Sequence, residues 1–461
     1  MYRAQIDPDQ LTPALALKLV NDYKHTDRYK MFSLMQGYYE ARHDILNRTA
    51  ASVNTNVNNK LVNNFPGYIV DVNVGYFVGQ PVSYMAKQNE EGLDENPDPF
   101  LDDLGVVFDE NDEQDENTKL SKEASIKGRV YELLYIDEES NPNFIAIEPE
   151  NLLMIYSTKV HSTPILALRF WDSVDLISGK ETLFITAYTD REIIEYESDG
   201  KTKCHETKRT KHPFLAVPVV EFPNNDERQG DFEKVLTLID AYDRAQSNMA
   251  NDFDNFTDAF LLIRNMSGTE EEDLDGMRQK RVILVDDDGD ANWLVKDAND
   301  AAHENFKNRL QEDIHRFSLT PNLTDESFSG DVSGVALRYK LWGLEQSAAQ
   351  KERKFKKALQ RRIELLANFW SAKGKNYDFR DVEIVFSRNA PPALKELVEI
   401  VTALRNIVSD ETLLALLPFI PDPEAEIKKV QKQDAGRVDL DNPPPPPGEF
   451  PDDPVETEEM E

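Results

Sequence analysis

The sequence predicts an α+β protein in which a β-rich block lies between long helices. Short runs of aromatic and β-branched residues, separated by turn residues, fill about residues 126–225, a pattern typical of a mainly antiparallel sheet. Apolar residues recur every three or four positions over 231–263 and again over about 333–373, which indicates two amphipathic helices of unusual length. The 461 residues are enough for more than one domain and for at least one sizeable core.

Helices are also predicted before the β-rich block, where residues 11–47 carry apolar side chains at helical spacing. The stretch NKLVNNFPGYIVDVNVGYFVGQPVSY, residues 59–84, has the same spacing. Its Pro-Gly pair either kinks a helix or starts a second one at Pro66, and the unbroken spacing from Leu61 favours the kinked helix. Gly79 is the expected end of that helix, and Pro81 stops it before the short strand VSYMA.

A dense acidic tract occupies residues 90–117 and ends in DENDEQDEN. Runs of like charge repel one another and stay solvated, so this tract is expected to be a mobile loop rather than a cation site. Its acids are too numerous for any one of them to indicate a ligand.

The helix expected over 231–263 has about 32 residues, which at 1.5 Å per residue makes a rod roughly 50 Å long. Asp231 can cap its start, and its length indicates a stalk or a bundle. The insert that follows is predicted to form a hairpin in which RVILV and ANWLVK flank the turn DDDGD. A calcium loop is rejected there because its first and last ligand positions fall on Leu284 and Val295.

The rest of the chain alternates between helices and polar segments. A helix is predicted over about 301–318, and a polar run separates it from the second very long helix. The strand DVEIVFSR and two or three short helices follow, ending near residue 432. The last residues, 433–461, are proline-rich and acidic, which predicts disorder.

The charge balance limits the classes of partner. The chain has 86 acidic and 52 basic residues, a formal net charge of −34, so tight general DNA binding is not expected. No apolar run approaches the roughly 20 residues of a membrane span, and the first residues carry no secretory signal, which predicts a soluble chain made in a reducing cytosol. The single Cys204 forms no intrachain disulfide, and with His205 alone it does not indicate a metal.

No catalytic signature is found in the sequence. GKT at 200–202 lacks the earlier glycine of a phosphate-binding loop, because Glu195 occupies that position. Neither GxSxG nor HExxH occurs, and the seven histidines show no convincing pairing with acids along the chain. The sequence therefore predicts a protein that is not an enzyme and that uses no cofactor and no metal.

The order of these parts is itself distinctive: a sheet block, a long helix, a small hairpin insert, a helix back, a polar loop, a very long helix and a helical end. This order resembles the bacteriophage portal proteins, the head-to-tail connectors of long-tailed double-stranded-DNA phages. Three phrases carry the same resemblance in the right register: NNFPGYIVDVNVGYFVGQPVSY, IKGRVYELLYIDEESNPNFIAIEPENLLMIY and VSDETLLALLPFIPDPEAEIKKV. Together the similarity covers about residues 20–432.

The resemblance implies a ring of identical subunits, typically twelve, at one vertex of the capsid. Double-stranded DNA would enter and later leave through its axial channel without sequence specificity. The implied partners are the terminase packaging motor, a neck or adaptor protein, and the major capsid and scaffolding proteins, with no membrane. The protein would lie in the virion at the portal vertex, and in the host cytoplasm during assembly.

The portal fold that the resemblance implies is elongated, with a β-rich wing, an α-helical stem, a small clip and a helical crown. The implied regions are the wing at 1–225, the stem helix out at 226–263, the clip at 264–300, the stem helix back at 301–318, the tunnel loop at 319–332, the long helix and wing strand at 333–389, the crown at 390–432 and the disordered tail at 433–461.

Three groups of residues are candidates for contact with DNA or with neighbouring subunits. Carboxylates lining a channel would repel phosphate and let DNA slide, and a polar loop longer than most connections suits a segment that shifts around moving DNA. The basic stretch KERKFKKALQRR either contacts DNA or forms salt bridges with acids in the ring, and the abundance of acids favours salt bridges. The candidates are Asp240, Asp243, Asp252, Asp254 and Asp258 on the stem; Asn322, Asp325, Glu326, Ser329 and Asp331 in the loop; and Lys351, Arg353, Lys354, Lys356, Lys357, Arg361 and Arg362 on the basic helix.

Two other classes of function remain as alternatives. A metal-dependent enzyme that acts on nucleic acid would account for the acid clusters and the basic helix. An acidic dimeric adaptor or scaffold protein would account for the long helices. The ring is favoured because two antiparallel helices with one apolar face each cannot bury those faces alone.

Overall fold

The protein combines helices with antiparallel sheets, so the predicted α+β class is confirmed. The structure is a computed structural model, and its internal contacts define two compact units. Met1–Phe328 and Tyr339–Asn389 form the first unit, and Ser329–Arg338 and Ala390–Glu461 form the second. The described residues are 2–4, 10–49, 58–87, 98–256, 260–264, 290–294, 300–324, 334–389, 394–405, 407–417, 420, 423 and 426–433.

Two sheets occupy the middle of the chain, where the β-rich block is predicted. The larger has six strands in the order β1-β5-β6-β7-β8-β9, antiparallel throughout except that β1 runs parallel to β5. The smaller has three antiparallel strands in the order β10-β3-β4. The strands are β1 Tyr2–Arg3, β3 Arg129–Ile136, β4 Pro142–Ile147, β5 Leu152–Tyr156, β6 Pro164–Val174, β7 Glu181–Tyr188, β8 Glu192–Ser198, β9 Cys204–Lys211 and β10 Val219–Pro223.

Helices precede the sheets, as the sequence predicts. Asn64 caps the third of them by accepting from the backbone N–H of Gly67. Pro66 lies in its first turn, where a backbone N–H would have no partner within the helix, so the N–H that proline lacks is not missed. That helix begins at Phe65 and ends at Gly79, so the predicted end is confirmed. The predicted kinked helix from Leu61 is wrong, because residues 58–64 are not helical and the helix starts at the Pro-Gly pair. The elements are α1 Pro13–Lys24, α2 Asp27–Tyr39, α3 Phe65–Val78 and β2 Ser83–Ala86.

The acidic tract was expected to be a mobile loop, and that prediction is wrong for its described part. Residues 98–117 belong to two helices, α4 Pro99–Glu110 and α5 Glu113–Lys127. α4 buries an apolar stripe that its many acids obscure in the sequence, and α5 buries two of its carboxylates against interior donors. The buried members of the stripe are Phe100, Leu104, Val107 and Phe108.

The predicted rod over 231–263 is shorter than expected. A 3-10 turn, Glu233–Val235, leads into α6, Leu236–Phe256, and residues 260–264 form strand β11 instead of continuing the helix. Strand β12, Asp290–Leu294, pairs antiparallel with β11, and the predicted RVILV strand lies outside the described residues.

The chain returns from β12 along α7, Asp300–Ser318, which packs against α6. The predicted single helix over 333–373 is interrupted at Leu341, giving α8 Gly334–Lys340 and α9 Trp342–Ala372. Strand β13, Val382–Val385, pairs with β2. One apolar core joins α2, α3, α4, α5, α9 and the small sheet, and a second lies between α1 and the large sheet.

The described part of the second unit is largely helical. It contains α10 Leu394–Leu404 and α11 Asp410–Ala415, and residues 426–433 are also helical. Ser409 caps α11 by accepting from the backbone N–H of Thr412, with two acids in its first turn. The proline-rich tail lies outside the described residues.

Candidate functional site

An extended piece of chain, segment 58–64, lies along α6, one of the two helices of the α6–α7 hairpin. Alternate residues of this segment donate their backbone N–H groups to side chains spaced four apart on the helix. Two extended residues span about 6.6 Å and four helical residues about 6 Å, so the two repeats stay in step. The bonds join Asn63 to Asp243 Oδ1 (2.8 Å), Leu61 to Ser247 Oγ (2.9 Å) and Asn59 to Asn251 Oδ1 (2.7 Å).

Asp243, the partner of the Asn63 backbone, also contacts the buried imidazole of His43. His43 Nδ1 lies 2.6 Å from Asp243 Oδ2, and both side chains are fully buried. His43 Nε2 lies 3.1 Å from the carbonyl oxygen of Tyr38, whose ring stacks on the imidazole. The imidazole is therefore held from both sides, by the carboxylate of Asp243 and by the backbone of Tyr38. The pair locks α2 to α6.

These contacts correct the predicted lining of the channel. Asp243 faces the interior of its own chain and cannot line a channel, because Asn63 and His43 use both of its oxygens. Asp240 accepts from the hydroxyl of Tyr38 (2.7 Å). Asp254 accepts from the side chain of Asn59 at 2.6 Å, and Asp252 also has an interaction partner. The last stem candidate, Asp258, lies outside the described residues.

The chain that leaves α7 is tied to α3. The hydroxyl of Tyr68 donates to the carbonyl oxygen of Pro321 (2.8 Å) and accepts from the backbone N–H of Leu323 (2.8 Å). Asn73 donates to the hydroxyl of Thr320 (2.8 Å) in a fully buried contact. The first residues of the predicted tunnel loop are therefore anchored.

The loop candidates fall largely beyond this anchored part. Asn322 closes a local turn by accepting from the backbone N–H and the hydroxyl of Thr324, at 3.2 and 2.7 Å. The other four predicted loop residues lie outside the described residues: Asp325, Glu326, Ser329 and Asp331.

His315, near the end of α7, makes this anchor sensitive to pH. Its Nδ1 donates to the carbonyl oxygen of Thr320 (3.0 Å), its ring meets Phe65 and Tyr68 edge-on, and burial lowers the pKa of its imidazole. The imidazole of His315 is therefore protonated less readily in the folded state than in the unfolded chain. The stability that depends on neutral His315 is present above the ordinary histidine pKa of about 6.5 and is lost as pH falls below it.

We expect the thermal unfolding midpoint to fall between pH 7.5 and pH 5.5 by less in His315→Gln than in the unaltered protein. Glutamine can still donate to Thr320 but takes up no proton. Differential scanning fluorimetry at both pH values measures the two slopes, with the exposed His303→Gln as the matched control. Equal slopes for the unaltered protein and His315→Gln would show that His315 does not carry this dependence.

The most buried cation of the basic helix is Arg362 on α9. Its guanidinium is fully buried, contacts both Glu132 oxygens and lies 2.9 Å from Glu113 Oε1. It also donates to Asn117 Oδ1 (2.9 Å) and lies over the ring of Phe144, 4.5 Å from its centroid. Burial opposes the charge, but the neighbouring carboxylates attract it more strongly, so the pKa of Arg362 is raised. Arg362 joins the long helix to the small sheet and to the acidic tract.

The other basic residues divide between interior and surface. Lys351 is buried and pairs with Asp231 and the hydroxyl of Ser125, while Lys354 pairs with Asp226 on the surface. Arg361 pairs with Glu364 one turn further along its helix (2.7 Å). The partner acids belong to the same chain. Within the described residues no ion pair engages the last three candidates, Arg353, Lys356 and Lys357.

Sequence reasoning missed the role of segment 58–64. Its asparagines were a signal, since Asn59, Asn63 and Asn64 supply amide groups that a helix interior would not need. Their helical partners lie about 180 to 190 residues away in the chain, which no local pattern connects.

The described residues hold no group of three His, Cys, Asp or Glu side chains placed to bind a metal ion. Nor do the described helices include one long and apolar enough to cross a membrane. Cys204 and His205 are neighbours on strand β9, where successive side chains point to opposite faces of the sheet. The two side chains therefore cannot bind the same metal ion.

These elements define a class of protein: an α+β chain whose sheet-bearing body carries a two-helix hairpin with a two-stranded sheet between its helices. A family model described as "Phage portal protein, SPP1 Gp6-like" matches residues 20–439, and the chain belongs to this family. It is 26% identical over 403 residues to the portal protein of Bacillus phage SPP1, covering 82% of this chain and 77% of that protein. It is 25% identical over 429 residues to the portal protein of Clostridium phage phiCD119, covering 86% and 92%.

Proposed function

We propose that the protein is the portal of a tailed bacteriophage. In this account identical copies form a closed ring, of about twelve subunits, at one capsid vertex, and double-stranded DNA passes through its channel during packaging and ejection. The packaging motor and the neck or adaptor protein dock on the ring, and it contacts the capsid and scaffolding proteins. It has no enzymatic role of its own. The single observation that carries the proposal is the family match over residues 20–439.

Each region of the fold has a proposed role in the ring. The sheet-bearing body with β13 is the wing, α6 and α7 are the stem, and the segment that contains β11 and β12 is the clip that meets the motor and later the neck. Residues 319–332 form the tunnel loop, and the helices of 390–432 form the crown. The apolar faces of α6 and α7 support a ring, because a helical pair with exposed apolar groups is covered when neighbouring copies pack around it. Phe253, Phe306 and Phe317 are such exposed groups on the pair.

The account also assigns the carboxylates of the channel. Asp243 is excluded by its burial, and the stem lining is proposed for the other four candidates, Asp240, Asp252, Asp254 and Asp258. The tunnel loop adds Asp325, Glu326, Ser329 and Asp331, and Asn322 ends its anchored part. Carboxylates near the phosphates raise the energy of close contact all along the channel, so no position binds DNA strongly enough to halt it.

The test uses the phage that encodes the chain. A stop codon placed in its gene is expected to leave capsids that contain no packaged DNA, as measured by nuclease-protected DNA per capsid. Supplying the intact gene in trans should restore packaging. DNA-filled capsids made without the protein would overturn the proposal.

A further inference from the structure

One exposed line of residues along α9 carries positive charge and no negative charge. These residues recur every three or four positions, so they share one face of the helix, which we call the α9 stripe. A cavity of about 330 Å³ borders the middle of the stripe. The stripe therefore has the opposite charge to the whole chain, whose formal net charge is −34. Its members are Trp342, Gln346, Gln350, Arg353, Lys357 and Gln360.

The two cations of the stripe lack an acidic partner within the described residues. Arg353 only donates its Nε–H to a backbone carbonyl oxygen of its own helix (3.1 Å), and no ion pair engages Lys357 there. The acids nearest in sequence are already used, since Glu345 and Glu352 both pair with Arg388. Most other cations of this helix are paired, so these two positive charges favour a negatively charged ligand from outside the described residues.

An aromatic group begins the stripe. Trp342 is 62% exposed, and Tyr339, three residues earlier, is 77% exposed. Proline-rich peptides dock on such rings, because a polyproline II segment is already extended and loses little entropy on binding. Gln346 and Gln350 can donate to the backbone carbonyl groups of such a peptide, which have no internal partner. The stripe therefore fits an extended peptide with prolines at one end and acids at the other.

The sequence at the end of the chain has this composition. Residues 434–461 include ten acidic residues and one basic residue, and five consecutive prolines occupy 443–447. At 3.1 Å per residue, Asp452 of an extended tail lies about 22 Å beyond the middle proline. At 1.5 Å per residue, Lys357 lies about 23 Å beyond Trp342 on the helix. The distance from prolines to acids in the tail thus matches the distance from indole to cation on α9.

We propose that the α9 stripe binds the acidic, proline-rich tail of a neighbouring copy of this chain. The prolines of the tail pack on Trp342. Its carboxylates at 452–453 pair with Arg353 and Lys357. The choice of a neighbouring copy rests on the ring proposed above, because copies that each carry −34 repel one another and this contact joins opposite charges between them. Duplex DNA offers negative charge too, but its bases are stacked inside the duplex and leave no partner for the exposed indole.

Disulfide crosslinking of the full-length chain tests this docking. Gln350→Cys and Gly448→Cys are combined in a Cys204→Ser background, because these two positions meet when the prolines lie on Trp342. We expect crosslinked dimers and larger species on a non-reducing gel. Gln360→Cys with Gly448→Cys is the matched control, and it should crosslink about fivefold less, since this position lies about 15 Å further along the helix.

Substitutions at both ends of the stripe test the contacts that hold the tail. Trp342→Ala and Arg353→Gln/Lys357→Gln should each lower the crosslink yield about threefold or more. Lys159→Gln/Lys180→Gln removes the same amount of charge from exposed loops of the large sheet, and it should leave the yield unchanged.

A free peptide of residues 439–459 should compete with the tail, and replacing its five prolines with alanine should weaken that competition. The proposal is overturned if the yield does not exceed that of the Gln360→Cys control, or if crosslinks form only within single chains. It is also overturned if duplex DNA abolishes the crosslink and the peptide does not, because the stripe would then be a DNA surface. Particle sizes in the same samples separate the two proposals. Rings without the crosslink remove the docking and keep the ring, whereas crosslinked copies that never form rings support the docking and contradict the ring.

Discussion

Arg362→Met should destabilise the protein by about 3–5 kcal/mol, because removing one partner of a buried ion pair leaves the others uncompensated. The substitution keeps an unbranched side chain of similar length but leaves the carboxylates of Glu132 and Glu113 facing a thioether in the interior. Thermal or urea unfolding measures the loss. The pH dependence should change as well, since burial raises the pKa of Glu132 and the loss of Arg362 would raise it further.

Arg361→Met is the matched control, because Arg361 is the preceding residue on the same helix and pairs at the surface with Glu364. Its loss should be within about 1 kcal/mol. Equal stability of the two variants would contradict the role given to Arg362. A triple variant that adds Glu132→Gln and Glu113→Gln should recover part of the loss, because it removes the unpaired buried charges.

Asp243→Asn is expected to detach segment 58–64 from α6 and to lower stability by about 3 kcal/mol. Three donors converge on the two oxygens of Asp243: the imidazole of His43 and the backbone and side-chain N–H groups of Asn63. An asparagine offers one oxygen and one NH₂ group, so at least one of the three donors would lose its acceptor or face another donor.

Hydrogen exchange measures this effect locally. The amides of Leu61 and Asn63 should exchange faster in Asp243→Asn, while the amides of the distant sheets should change little at mild denaturant. Asp254→Asn is the control, because Asp254 holds the outer end of the same segment on an exposed position. If the control and Asp243→Asn exchange alike, the buried pair does not hold the segment.

Sequence reasoning succeeded where local chemistry decides the structure. The end of α3 at Gly79 follows from glycine geometry, and the strands of the β-rich block follow from alternation and turn residues. Contacts between residues far apart in the sequence determine the elements that sequence reasoning missed. The acidic tract forms helices in which Glu113 and Glu116 accept hydrogen bonds from interior donors, and the guanidinium that meets Glu113 lies 249 residues away in sequence.

The candidate site shows the same division. The carboxylates of α6 were recognised as a group, but a count of acids along a helix does not tell which of them face inward. Asp243 is buried because segment 58–64 covers it, and that segment precedes the helix by some 180 residues. Every second residue of the extended segment meets every fourth residue of the helix, and this match appears only in the folded structure, where the two elements lie side by side.

The central claim is the closed ring, and native mass spectrometry of the purified full-length chain tests it most directly. With 52.8 kDa per chain, a ring of twelve has a mass of about 630 kDa, and end-on electron-microscopy views of that species should show one axial channel. Rings with one subunit more or fewer would still satisfy the account. A protein that remains a monomer or dimer across the micromolar range, with no ring in the images, would contradict it.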